Sequence, residues 1–144
     1  MILIVLFVAS TEKMIANKGS KVLIILFTSD FYRYYYGLNL ASTYKAINKN
    51  VTLFYSGYSV NFLLKNWKNF DGNKVNRKFK NKNMPNYQEM LNLCFELKVK
   101  FYFCRTALEF LNLCEDNFLE SISIKSASLY QVVDKHKKDQ TIFI

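Results

Sequence analysis

Three cysteines (Cys94, Cys104 and Cys114) and a single histidine, His136, are the soft nucleophiles and ligands of this chain. No two cysteines form a C-x-x-C pair, and no cysteine lies close to the histidine. A structural zinc site needs four such ligands, so no metal is expected, and no motif calls for a cofactor. Cys104 is different in its surroundings. It closes the run Val99-Lys100-Phe101-Tyr102-Phe103, rich in β-branched and aromatic residues, which reads as a strand. Arg105 to Leu111 follows with apolar residues at helical spacing and no breaker, and the helix is expected over 105–113. A cysteine there stands at the C-terminal edge of a strand, where open α/β sheets gather ligands and chemistry. The opening amides of a helix and the neighbouring Arg105 both favour thiolate over thiol. Inert burial, the common state of a free cysteine, is the competing reading.

The other two cysteines do not complete a redox pair with it. Cys114 lies ten residues on, which along a helix is ~15 Å. Cys94 is separated from Cys104 by most of a strand, again roughly 15 Å or more. A disulfide needs Cα atoms within ~7 Å. A two-cysteine peroxidase cycle within one chain therefore lacks its second thiol. Cys94 and Cys114 each fall on an apolar stripe and are expected in the core. So few cysteines, odd in number, fit a reducing cytoplasm.

The elements that must hold Cys104 alternate along the chain. Lys21–Thr28 is a continuous apolar run, the mark of a strand buried on both faces. Ser29-Asp30 can cap the helix that follows over 31–47, with Tyr36, Leu40, Thr43, Tyr44 and Ile47 as its stripe. Asp30 is also a polar group at the same sheet edge as Cys104. Val51–Tyr55 is the second strand, and Val60–Leu64 starts a further helix. Another helix begins at Pro85 or Asn86, with Met90, Leu93, Cys94 and Leu97 inward. Ser121–Ile124 alternates as a fourth strand, Ala127–Lys135 reads as a helix, and Thr141–Ile144 as a closing strand. The pattern predicts a three-layer α/β/α fold with a mostly parallel sheet of about five strands. Glu109 is placed to pair with Arg105 one turn away. His136 sits in a charged run and is expected in solvent. Tyr32, Tyr34, Tyr35 and Tyr36 cannot all face one core, so some are assigned to a subunit interface.

Charge adds little by itself. The formal net charge is +9, with 51% hydrophobic and 22% charged residues. Lysines outnumber arginines 17 to 3, which follows A/T-rich codon usage and suits bidentate phosphate recognition poorly. Nucleic acid is thus the weaker partner class. Lys65–Asn83 holds seven basic residues and one acid and reads as a long, mobile, solvated loop. Lys74, Arg77, Lys78 and Lys80 are its candidate contacts to an acidic partner or RNA. Trp67 in that segment is an anchor on the core or a stacking platform for a base. Ile2–Ala9 is an apolar run of eight residues, far short of the ~20 that span a membrane. No membrane partner is expected. Residues 1–20 read as a peripheral extension with Met14 as an alternative start, and 21–144 as one domain.

From Lys21 to Ile144 the chain resembles the DsrE/DsrF-like sulfur-relay family, in particular its small single-domain members. Val22-Leu23-Ile24-Ile25-Leu26 is similar to that family's first strand and Val51-Thr52-Leu53-Phe54-Tyr55 to its second. Val99 to Glu109 matches a strand ending in a cysteine before a helix. Glu115-Asp116, Ile122, Ser126-Ala127-Ser128-Leu129 and Thr141-Ile142-Phe143 follow in the family's order. The resemblance implies that Cys104 carries a persulfide, that Arg105 supports its thiolate, and that Ser59, in the turn after the second strand, lies at the site edge. It also implies a homo-oligomer and a protein donor or acceptor of sulfur. A non-catalytic binding module of the same fold is the alternative. The chain departs from the family in having its nearest glycine at Gly57 rather than around Ser59, and in lacking glycine at Lys125-Ser126 and at Lys98.

Overall fold

The computed structural model describes residues 19–144; the apolar run near the N-terminus lies outside them. Five strands form one parallel sheet: β1 (Lys21–Leu26), β2 (Asn50–Tyr55), β3 (Lys100–Cys104), β4 (Lys125–Ala127) and β5 (Gln140–Phe143), in the order β4-β3-β2-β1-β5. The helices are α1 (Phe31–Ala46), α2 (Gly72–Asn81), α3 (Tyr87–Glu96), α4 (Arg105–Phe110) and α5 (Leu129–Lys135). The expected α/β/α layering and parallel sheet are what the chain adopts. Register and alternation put Ile24, Leu26, Leu53, Tyr55, Phe101 and Phe103 on one face. α1 packs on that face, with Leu26 against Gly37 and Tyr34 against Tyr55. The other face carries Ile25, Phe54, Tyr102 and Cys104. α5 crosses it, with the Lys135 ammonium over the Tyr102 ring.

Capping chemistry sets the helix starts. The Asp30 carboxylate accepts from the Arg33 amide at 2.7 Å. Asn86 with Glu89, and Ser128 with Gln131, form reciprocal capping boxes. Four of the five described helix ends share one device. Asn48, Asn83, Lys98 and Asn112 stand two residues beyond α1, α2, α3 and α4, each in the left-handed region at φ 63°, 53°, 61° and 52°. The following amide reaches back to close the last turn in every case, as from Val99 to the Cys94 carbonyl at 3.0 Å.

Several expectations are corrected. The 65–83 segment is no loop. A 3-10 turn at Trp67–Asn69 leads into α2, which is helical because Val75 and Phe79, four apart, share one inward face. Phe79 is buried and stacks on Tyr35, centroids 4.0 Å apart. Trp67 is the core anchor: it is buried and stacks on Phe31 at 5.5 Å. Residues Gly57–Leu63 form a 3-10 turn rather than a helix. The fourth strand is Lys125–Ala127, not Ser121–Ile124. α1 buries Phe31, Tyr34, Tyr35, Leu38 and Ala41, while Tyr36 and Ile47 face solvent. Leu93 on α3 is likewise exposed.

The densest part of the core is aromatic and hydrogen-bonded. The Tyr34 hydroxyl sits 3.0 Å from that of Tyr55 and 3.1 Å from that of Tyr87. Tyr87 in turn donates to the Phe62 carbonyl. Burial raises the pKa of all three phenols, and raises the Cys94 thiol to about 12. Each group keeps its proton in the fold after the unfolded chain has lost it. The unfolded state then binds fewer protons, so stability falls as pH rises above the unfolded values near 9–10. The slope is about 1.4 kcal/mol per pH unit for each retained proton. Denaturant titrations between pH 8 and 11 should show this decline. Tyr34→Phe, which strands the Tyr55 hydroxyl, should cost about 1–3 kcal/mol at neutral pH and flatten the alkaline slope. A pH-independent midpoint up to 11 would contradict the assignment.

Candidate functional site

Cys104 is the last residue of β3 and the N-cap residue of α4, as its sequence context requires. Its side chain gives α4 no capping hydrogen bond. At an N-cap, a serine or aspartate oxygen accepts from the second or third helical amide. A neutral thiol is a weak acceptor; a thiolate is a strong one. The sulfur is largely buried, at 6% residue exposure, but it lines a cleft of about 400 Å³. Phe27, Gly57, Tyr58, Phe110 and Leu129 form most of the cleft wall. Four of these are large, exposed apolar side chains, with Phe110 at 72%. Gly57 has φ 49°, and a Cβ there would lie 2.4 Å from the Phe27 ring. That glycine keeps the mouth narrow without a clash.

The other predicted site residues fall elsewhere. Arg105 is exposed and its Nε donates to Ser126 Oγ on β4 at 3.3 Å; the expected pair with Glu109 is not formed. Ser59 is fully buried and its hydroxyl donates to the carbonyls of Leu26 (2.6 Å) and Ser56 (2.8 Å). It clips the end of β1 to the turn after β2 and so holds the cleft floor. Asp30 caps α1. Lys74, Arg77, Lys78 and Lys80 are all exposed on α2. Cys94 is buried, with its thiol donating to the Leu38 carbonyl at 3.3 Å. Cys114 is exposed, against expectation, because α4 stops at Phe110 and Asn112 turns the chain away. His136 is buried rather than solvated, held by Asp139 Oδ2 at 2.9 Å from its Nδ1. All three cysteines are free thiols. Among the described residues no three His, Cys, Asp or Glu side chains gather as a metal cluster, and no helix is long and apolar enough to cross a membrane.

Sheet order, a strand-end cysteine and a cleft above it define an α/β domain with one thiol at the carboxyl edge of its sheet. The chain belongs to the DsrE/DsrF-like family, whose model matches residues 21–143. No curated protein matches the sequence. The fold is similar to that of the YchN protein of E. coli, with TM-score 0.64 at 15% identity over 87% of this chain and 99% of that one. It is also similar to BT1422 of Bacteroides thetaiotaomicron, at TM-score 0.61 and 12% identity over 87% and 95% of the two chains. MTH1491 of Methanobacterium thermoautotrophicum gives 0.58 and 15% over 87% and 99%. At these identities the likeness concerns the fold alone.

The three thiols should separate in reactivity. With a chromogenic disulfide at pH 8, Cys114 should label fastest and Cys104 more slowly through the cleft. Cys94 should label only when the protein unfolds. Equal rates for Cys94 and Cys114 in the native protein would contradict this placement.

Proposed function

We propose that the protein is a persulfide carrier that accepts and passes on sulfur at Cys104. The observation that carries this reading is the placement of Cys104 as the uncapped helix start at the bottom of an open apolar cleft. The Cys104 thiolate attacks the outer sulfur of a donor persulfide. The new S–S bond forms on Cys104, the donor's own S–S bond breaks, and the electron pair leaves with the donor as a thiolate. Transfer to an acceptor thiolate reverses the same step, so no external oxidant or reductant enters. Arg105, adjacent in sequence, contributes positive charge near the thiolate while it is anchored on Ser126. The exposed apolar side chains around the cleft support a protein partner, either the sulfur donor or acceptor or a second copy of the chain. Free thiols suit a reducing cytoplasm. With Cys94 buried and held to Leu38, an intramolecular two-cysteine peroxidase cycle has no support.

Incubation with a sulfane-sulfur donor should add one sulfur atom to the intact mass. In a Cys114→Ser background, Cys104→Ser should abolish this adduct, whereas Cys94→Ser should retain it. Serine is a good N-cap, so Cys104→Ser should be as stable as the parent or about 0.5–1 kcal/mol more stable. An unchanged adduct in Cys104→Ser in that background would overturn the proposal.

A binding role without turnover is the second reading. It is favoured by the ordering of Lys74, Arg77, Lys78 and Lys80 on the solvent side of α2, whose Phe79 anchors it on Tyr35. In that case RNA affinity should fall steeply with salt and be lost when these four are neutralised. A flat salt response would remove this reading.

A further inference from the structure

The opposite end of β3 carries a second cavity. Lys100 opens the strand that Cys104 closes, four residues and ~13 Å away. A recess of about 160 Å³ lies there, at the N-terminal edge of the sheet. Lys21 from β1, Lys98 and Lys100 flanking the start of β3, and Lys135 at the end of α5 all line it, together with Asn50 and His136. Four of its eight lining residues are lysines, against 17 in the 144 of the whole chain. A lysine-rich composition by itself predicts about one. No carboxylate lines the recess, and none of the four ammonium groups is in an ion pair among the described residues. Asp139, which contacts the lining residue His136, is engaged by it.

Three further features organise this charge. Lys135 is positioned by the Tyr102 ring, 5.5 Å from its Nζ. His136 is buried with Nδ1 turned to Asp139, so its ring is a fixed part of the recess wall. Lys98 is held at φ 61°, whereas the other four non-glycine residues with positive φ among the described residues are asparagine or aspartate. A lysine in that conformation is strained, and here it lines the recess.

We propose that this recess is a binding site for a small tetrahedral oxyanion of the phosphate or sulfate class, independent of Cys104. The volume suits one such group, with whatever it esterifies left outside the recess. Lys21, Lys98, Lys100 and Lys135 supply charge, and the Asn50 side-chain amide, one hydrogen of which goes to the Gly19 carbonyl, has a second to direct at the anion. The anion would be free or the terminal phosphate of a monoester.

Because His136 is the only histidine, its ring resonances report the site without ambiguity. Inorganic phosphate, sulfate and ribose 5-phosphate would each be titrated at fixed pH, with ionic strength held constant by chloride. The expected result is a saturable shift of the His136 ring signals and a rise in Tm of at least about 2 °C near saturation. Tighter binding of inorganic phosphate assigns the free anion, and tighter binding of the sugar phosphate the ester. A Lys98→Gln/Lys100→Gln/Lys135→Gln variant should lose the response. A Lys74→Gln/Arg77→Gln/Lys78→Gln variant should keep it. A linear, unsaturated shift equal to that with chloride overturns the proposal, as does an undiminished response in the recess variant. Should that variant fail to fold, the titration of the parent protein decides.

Discussion

One buried hydroxyl, that of Tyr34, ties together segments distant in sequence. It meets Tyr55 on β2 and Tyr87 on α3, and through Tyr87 the backbone of Phe62. A phenol in the core must find partners or lose the hydrogen bonds that water would give it. With three of them converging, α1, β2, α3 and the Gly57–Leu63 turn can close in only one arrangement. Phe31, Phe62 and Trp67 fill the space around these rings edge-on and stacked. The turn so fixed carries Ser59, which clips β1 to the loop after β2. The cleft above Cys104 inherits its floor from that clip.

The two sheet faces are unequal. α1 and α3 complete the tyrosine face. α5, seven residues long, crosses the other. Leu129, at the start of α5, reaches the apolar cleft, and Lys135 and His136, at its end, reach the lysine-lined recess. One short helix therefore separates an apolar opening at the carboxyl edge of the sheet from a cationic one at the amino edge.

Much of this was legible in the sequence. β1, β2 and β3 are buried on both faces, so their apolar runs are long and end at charged or capping residues. The boundary at Cys104 is sharp for that reason. α3 and α5 carry their starts in Asn86–Glu89 and Ser128–Gln131. What was not legible depended on contacts from far away. α2 has only Val75 and Phe79 to bury, among asparagines and lysines, and its helix exists because Tyr32, Tyr35 and Trp67 offer it a surface. β4 is three polar or small residues at a sheet edge, with no alternation to read. His136 is concealed in a charged run; its burial follows from Asp139, three residues on, folding back to hold it. The Cys104 cleft could be placed at a strand end, but its apolar rim draws on Phe27, Tyr58, Phe110 and Leu129 from four separate segments.

With only four glycines, this chain hands the work of ending helices to asparagine. Asn48, Asn83 and Asn112 each hold a left-handed turn that glycine commonly fills. Asparagine restricts the unfolded chain more than glycine does, but its amide is thermolabile. The lifetime of the fold at elevated temperature is thus set partly by covalent ageing: conversion of one of these amides to a carboxylate would place a negative charge at the negative end of a helix dipole. Heat would then erode the molecule from its helix ends inward, by chemistry rather than by unfolding.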